Sequence, residues 1–461
     1  MTAITSISGI AARVRTRPVN RRLVACSSDG QFAIVDADNP VQLAEVNRTL
    51  LPARDDRLGQ TAAAWRTALR RHSPEQLDYL ILVPTLRCSL SCSYCQVSRV
   101  SIAQPGFDWS DATLNHVLEM IDGLAAETVK IEFQGGEPTL RCDLIEAVID
   151  RCARFKSASF VICTNLEAVD ARLEGLIARS DVHISTSLDG DRATHHRQRA
   201  GSDAFRANLR SIIDRHGASK VSALPTVDSA RLPEIDDLID AYAEYDLTSI
   251  FLRPITYHGF ARKRHSAAQE LGDAWRSYHR AFVARLIERN WQQRDPIIEE
   301  TYLSICLRRI LQPGRERHVD LREPNPVGRD YLVIDHDGKI YPTDEARMLA
   351  RSGVVDLALG DVATGWDSET RRLLDRHSTN QGDPACEACA YQPYCGRDLI
   401  DDLARYGRID LPRHETEFCK RHLHMFDLAF ELLDATDPAT RYSVARWLAL
   451  PGELPLERLP A

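Results

Sequence analysis

Apolar and polar positions change rhythm along this chain. From Asp78 to about Ile255, short runs rich in β-branched and apolar residues alternate with longer segments whose apolar residues recur every three or four positions. The first rhythm belongs to strands and the second to amphipathic helices, so their alternation predicts a parallel sheet covered by helices. The strands fall at 79–84, 128–133, 159–163, 182–188, 220–226 and 248–254, with helices at 110–126, 140–156, 168–179, 203–216 and 231–245. The fold class is therefore α/β, a partial (β/α)6 TIM-like barrel open at one side, with function at the C-terminal ends of its strands.

The flanks read differently. Residues 22–36 form two strands around an Asp29-Gly30 turn, helical spacing follows over 41–51 and 58–71, and residues 1–22, rich in Ser, Thr and Arg, read as a disordered terminus. An N-terminal module at 1–72 thus precedes a barrel at 73–312. The module either recognises an extended peptide by strand pairing or caps the barrel. Beyond the barrel strands come helices near 268–290 and 297–311, a charged, Pro-rich linker from Pro313 to Pro326, and a hairpin at 331–342 turning at Asp337-Gly338. A Cys-rich extension then occupies 313–430, and a helix with a Pro-rich tail closes the chain at 431–461.

Charge and composition narrow the partners. A net charge of -8 and a pI near 6.0 leave no basic field for a nucleic-acid backbone. No apolar run is long enough for a membrane span, and no signal core opens the chain, so the expectation is a cytoplasmic protein acting on a small molecule or peptide. Twelve cysteines in such a chain indicate metal or redox chemistry rather than disulfides. Cys88, Cys92 and Cys95 share one loop, and Cys386, Cys389, Cys395 and Cys419 lie near the C-terminus. Cys26, Cys142, Cys152, Cys163 and Cys306 are scattered and read as small core residues or free thiols.

The CxxxCxxC loop follows the first strand. Three thiolates at this spacing fold round one iron-sulfur cluster and leave its fourth iron without a protein ligand. Zinc is the competing occupant, but it normally takes four ligands, often in CxxC pairs. With Tyr94 before the last cysteine, this span of about Tyr79 to Ile255 resembles the radical S-adenosylmethionine (SAM) superfamily. Gln134-Gly135-Gly136-Glu137-Pro138 after the second strand is similar to the family's glycine-rich stretch, where absent side chains let backbone reach the methionine amino end. The third strand ends in Thr164-Asn165 and the fourth in Ser185-Thr186-Ser187-Leu188-Asp189-Gly190, similar to the SxDG end of peptide-modifying members. The resemblance implies a 4Fe-4S cluster on three cysteines, bound S-adenosyl-L-methionine, and hydrogen abstraction by a 5′-deoxyadenosyl radical. It also implies cofactor binding by Gly135, Gly136, Glu137 and Pro138, Ser187 facing the ribose, and Arg199, or the nearby Arg197, holding the methionine carboxylate.

Four C-terminal thiolates saturate either zinc or a second 4Fe-4S cluster. Following such a barrel, they resemble the SPASM extension, which carries auxiliary clusters in peptide and protein maturases. Departures from that pattern are Thr343 in Tyr341-Pro342-Thr343-Asp344, Leu399, and Asn325-Pro326-Val327-Gly328, each standing where a further ligand belongs. The expectation is one catalytic and one auxiliary cluster. Asp344 matches the residue that takes a proton from the substrate radical in sulfatase maturases; as a bare sequence feature it is also a turn carboxylate. PTLRC entering the loop, Cys-Gln-Val-Ser-Arg after it and Asp-Glu-Ala-Arg at the hairpin end resemble the His-Xaa-Ser system radical SAM maturase. That subgroup implies a precursor with His-Xaa-Ser repeats, a partner radical SAM maturase and an electron donor such as flavodoxin or ferredoxin. A sulfatase-type maturase oxidising Cys or Ser, a nucleic-acid-modifying radical SAM enzyme and a non-catalytic zinc-binding scaffold are the competing functions.

Overall fold

A computed structural model describes residues 14–50, 56–71, 76–316 and 318–450. The first thirteen residues and the Pro-rich tail after 450 lie outside the described residues. At the centre is a nine-stranded sheet, in which the strands Tyr79–Leu82, Thr128–Phe133, Ser157–Cys163, Val182–Ser187 and Val221–Leu224 run parallel in that order. Their side chains alternate. Leu80, Leu82, Ile131, Phe133, Phe160, Ile162 and Ile184 are buried in the main core, while Tyr79, Glu132, Cys163, Ser185 and Ser187 line a cavity on the other face. A sheet curled round a ligand space needs this split, whereas one packed on both faces reads apolar throughout.

The sheet grows past its first strand. Tyr331–Ile334 pairs parallel to Tyr79–Leu82 and then turns antiparallel into Lys339–Tyr341, so the Asp337-Gly338 hairpin belongs to the barrel sheet. The sixth strand departs from the expected 248–254. Ser249–Ile250 pairs with Glu299–Glu300, and Arg253–Pro254 pairs with Thr226–Val227. Between them the buried Glu300 carboxylate accepts the Leu252 N–H at 3.1 Å, replacing a ladder partner, and it also caps the helix Thr301–Leu311.

Two further expectations are corrected. Val14–Val19, assigned to an unstructured terminus, is the edge strand of a three-stranded antiparallel sheet with Arg22–Ser27 and Phe32–Asp36. Pro18 is tolerated there because an edge strand does not need its N–H. The segment read as a linker is packed: Leu321 is fully buried, Glu323 accepts the Asn380 N–H at 2.8 Å, and Asn325 donates to the Arg397 carbonyl. Among the described residues no helix is long and apolar enough to cross a membrane.

Candidate active site

The cavity of about 390 Å³ at the C-terminal strand ends is lined by Cys88, Cys92 and Cys95 together with Gly135, Gly136, Ser187, Arg199 and Asp344. The cysteine loop is held from several sides. Ser93 N–H donates to the Gln198 carbonyl at 2.9 Å, Phe260 N–H to the Cys95 carbonyl at 2.9 Å, and the Asn165 amide lies 3.7 Å from the Cys88 sulfur. Burial pushes the Cys88 thiol up to about 12, and raises Cys92 against the pull of Arg199. Buried thiols that repel one another become thiolates when a metal centre supplies positive charge. Three thiols beside the Arg199 guanidinium fit a cluster and an anionic ligand group.

The glycines have a firmer reason than ligand access. Gly136 N–H donates to the Thr85 carbonyl at 3.0 Å and Glu137 N–H to the Arg87 carbonyl at 2.7 Å, laying this stretch directly on the entry to the cysteine loop. A Cβ on Gly136 would collide with the Leu86 and Arg87 carbonyl oxygens, and one on Gly135 with that of Thr85. Gly136→Ala is therefore expected to cost roughly 2 kcal/mol, because backbone cannot yield as a side chain can. Unchanged thermal unfolding of that variant would remove this explanation. Glu137 is buried and turned from the cavity, accepting the Asn165 N–H at 2.8 Å and the Thr139 hydroxyl at 2.7 Å; Pro138 is buried at the start of the following turn. In this geometry both shape the strand ends.

The structure separates the two arginines. Arg197 is exposed and reaches only the Thr194 hydroxyl, whereas Arg199 lines the cavity. Arg199 donates to the Tyr94 hydroxyl at 2.7 Å, which donates to Asp189 at 2.6 Å, and the other Asp189 oxygen accepts the Thr226 N–H. Burial works against its charge, but Tyr94, Cys92 and Asp189 outweigh that and hold the guanidinium firmly cationic. Tyr94 of the cysteine loop, the SxDG aspartate and the arginine are thus one unit.

Opposite stands Asp344. Thr343 caps the helix Asp344–Arg351 by accepting the Ala346 N–H, so Asp344 is its first residue. Buried Arg347 donates twice to Asp344 Oδ1, at 2.6 and 2.9 Å. Burial raises the Asp344 carboxyl, Arg347 opposes, and Glu132 and Asp335 raise it further. Sequence reasoning missed the neighbouring polar floor: Glu132 accepts from Tyr79 and Gln134 at 2.7 Å and from Cys163 at 3.4 Å. The strict polar/apolar alternation of TVKIEF, which sets Glu132 on the face opposite Val129, Ile131 and Phe133, was its available signal. Cys163, read from sequence as a small core residue or a free thiol, is a free thiol that lines the cavity.

The four C-terminal cysteines lie near enough to act on one another's charge. Burial first, then mutual repulsion, raises Cys395, and Cys386 and Cys419 reach about 12 and about 11 for related reasons. Asp383 accepts the Cys386 N–H, the Tyr391 N–H donates to Cys389 Sγ at 3.4 Å, and Cys419 N–H is capped by Thr416. The three substituted positions are otherwise engaged: Thr343 as a cap, Leu399 in the core, and Asn325 in backbone hydrogen bonds.

Residues 82–224 match the radical SAM superfamily. The chain is similar to Fe-coproporphyrin III synthase of Methanosarcina barkeri (strain Fusaro / DSM 804), 27% identical over 386 residues, covering 78% of this chain and 93% of that protein. It is also similar to PqqA peptide cyclase of Methylobacterium nodulans (strain LMG 21967 / CNCM I-2342 / ORS 2060), 22% identical over 322 residues and covering 66% and 80%. Similarity to the uncharacterized protein MJ0907 of Methanocaldococcus jannaschii is 29% over 117 residues, 25% of this chain and 39% of that protein. Among solved structures, anSMEcpe with bound AdoMet shares the fold at TM-score 0.61 and 16% identity, covering 77% of this chain and 97% of that one. Streptococcus suis SuiB bound to precursor peptide SuiA does so at TM-score 0.53 and 12% identity, covering 89% and 99%.

Proposed function

Proceeding from a radical SAM domain at residues 82–224, we propose that this chain is an enzyme that modifies a ribosomally made peptide or protein. The observation that carries the reading is one cavity shared by the three loop cysteines, Arg199 and Asp344. When bound, the cluster and S-adenosyl-L-methionine supply a 5′-deoxyadenosyl radical for hydrogen abstraction, given one electron from a donor such as flavodoxin or ferredoxin. Cys88, Cys92 and Cys95 hold the metal, Arg199 pairs with the methionine carboxylate, and Ser187 faces the ribose. Asp344, raised by burial yet oriented by Arg347, accepts a proton from the substrate at Oδ2, the oxygen that Arg347 leaves free.

Cys386, Cys389, Cys395 and Cys419 hold one auxiliary cluster. Its fellow cluster is lost with the engagement of Thr343, Leu399 and Asn325 elsewhere. The peptide reading is supported by PqqA peptide cyclase among the relatives and by SuiB with its precursor among the folds. A precursor with His-Xaa-Ser repeats, presented to the open edge of Val14–Val19, is the most specific form of the proposal. The 93% coverage of Fe-coproporphyrin III synthase favours a second reading, a tetrapyrrole substrate.

The test is turnover of a short peptide encoded beside this gene, followed by mass change, against formation of Fe-coproporphyrin III from a tetrapyrrole precursor as the competing outcome. Asp344→Asn is expected to keep reductive cleavage of S-adenosyl-L-methionine while slowing product formation by roughly a hundredfold, within the range for a lost general base. Full turnover by that variant removes the proton-acceptor role.

A further inference from the structure

The N-terminal sheet is fastened to the second cysteine site. Arg15, Arg17 and Val19 alternate along Val14–Val19 onto one face, in register with Cys26 and Val24 of the next strand. Arg17 grips Asp427 with two parallel bonds, Nε–Oδ1 at 2.6 Å and Nη2–Oδ2 at 2.7 Å. Asp427 lies on Glu417–Asp434, the helix that bears Cys419. Its Oδ1 also accepts the Tyr391 hydroxyl at 2.8 Å. Tyr391 in turn donates its backbone N–H to Cys389 Sγ, with its ring 5.6 Å from the Arg17 guanidinium and stacked on Phe430. A second tie runs from Tyr394, next to Cys395, whose hydroxyl donates to the Gly30 carbonyl at 3.1 Å. Phe32 closes the seam edge-on against Phe430 at 5.2 Å. Arg15 carries a buried Nη1 without a partner.

We infer that this sheet is a working wall of the second cysteine site, in which Arg17, through Asp427 and Tyr391, positions the Cys389 arm while Arg15 and Arg17 set the local charge. The inference rests on the reading that these four cysteines hold an auxiliary iron-sulfur cluster. A bidentate arginine fixes direction as well as distance, so its loss loosens the arm. Positive charge beside a cluster favours its more negative, reduced state and so raises its potential. A sheet serving only to recognise a precursor would need neither cross-link.

The experiment uses a Cys88→Ala, Cys92→Ala, Cys95→Ala protein, in which only the auxiliary site is left to report. Potential is read by EPR-monitored titration and retention by iron loss to a chelator. Arg17→Gln is expected to lose iron about tenfold faster, as outer-shell changes do, and to show a lower potential. Arg17→Lys should keep the potential but not the retention, and Arg15→Gln should lower the potential alone. Parent-like retention and potential in Arg17→Gln would overturn the inference; if that variant does not fold, a parent-like potential in Arg15→Gln overturns it. A triple-alanine parent with bound zinc or no iron-sulfur signal overturns the auxiliary reading itself, before any arginine is changed.

Discussion

Cys92→Ala is expected to reduce cleavage of S-adenosyl-L-methionine to the level of a protein-free control, and to lower reconstituted iron from about eight to about four per chain. Cys92 sits in the cavity beside Arg199, and an iron-sulfur centre on three thiolates has no spare ligand to lose. Cys419→Ala should give the complementary result, also about four irons, but with cleavage retained. Anaerobic iron and sulfide analysis with 5′-deoxyadenosine assay checks both. Iron near twelve in the parent would contradict the assignment of Thr343 and Leu399 as lost ligand positions.

Arg199→Leu carries the second largest effect. Removing the guanidinium leaves Asp189, 1% exposed, and the Tyr94 hydroxyl without their shared cation. Arg199 meets Asp189 through the Tyr94 hydroxyl, so losing its charge-assisted bond costs about 1.5–3 kcal/mol. Loss of charge-assisted bonds to the methionine carboxylate weakens binding by about 1.5–3 kcal/mol, roughly tenfold to a hundredfold. Arg199→Lys restores charge but not the planar fork and should recover only part. Arg197→Ala, at an exposed site, should stay within about 0.5 kcal/mol of the parent in stability. Titration with S-adenosyl-L-methionine and thermal unfolding separate the two components; equal losses at Arg197 and Arg199 would refute the assignment.

The barrel was legible because its strands and helices differ in period, and its ligand loops because they follow those strands in order. Glu132 and Cys163 escaped notice for a physical reason. The polar face of an alternating strand looks the same whether it meets solvent or a ligand space, and only curvature of the sheet distinguishes these. The sixth strand failed for another reason: the partner of Leu252 is the Glu300 side chain, a contact across 48 residues that no local pattern encodes.

By itself, the sequence determined which chemistry is available: three cysteines in a loop, four behind them, and SxDG and GGEP at strand ends, since bond-forming residue types and short spacings are local properties. Tertiary structure alone decided which residues share the work. Arg199 over Arg197, the seating of Gly136 on the loop backbone, the placement of Asp344 at a helix start inside the cavity, and the reach of Arg17 across 410 residues to Asp427 all depend on packing of distant segments. Such contacts follow from how apolar faces are buried together, and a linear pattern records only that each face exists.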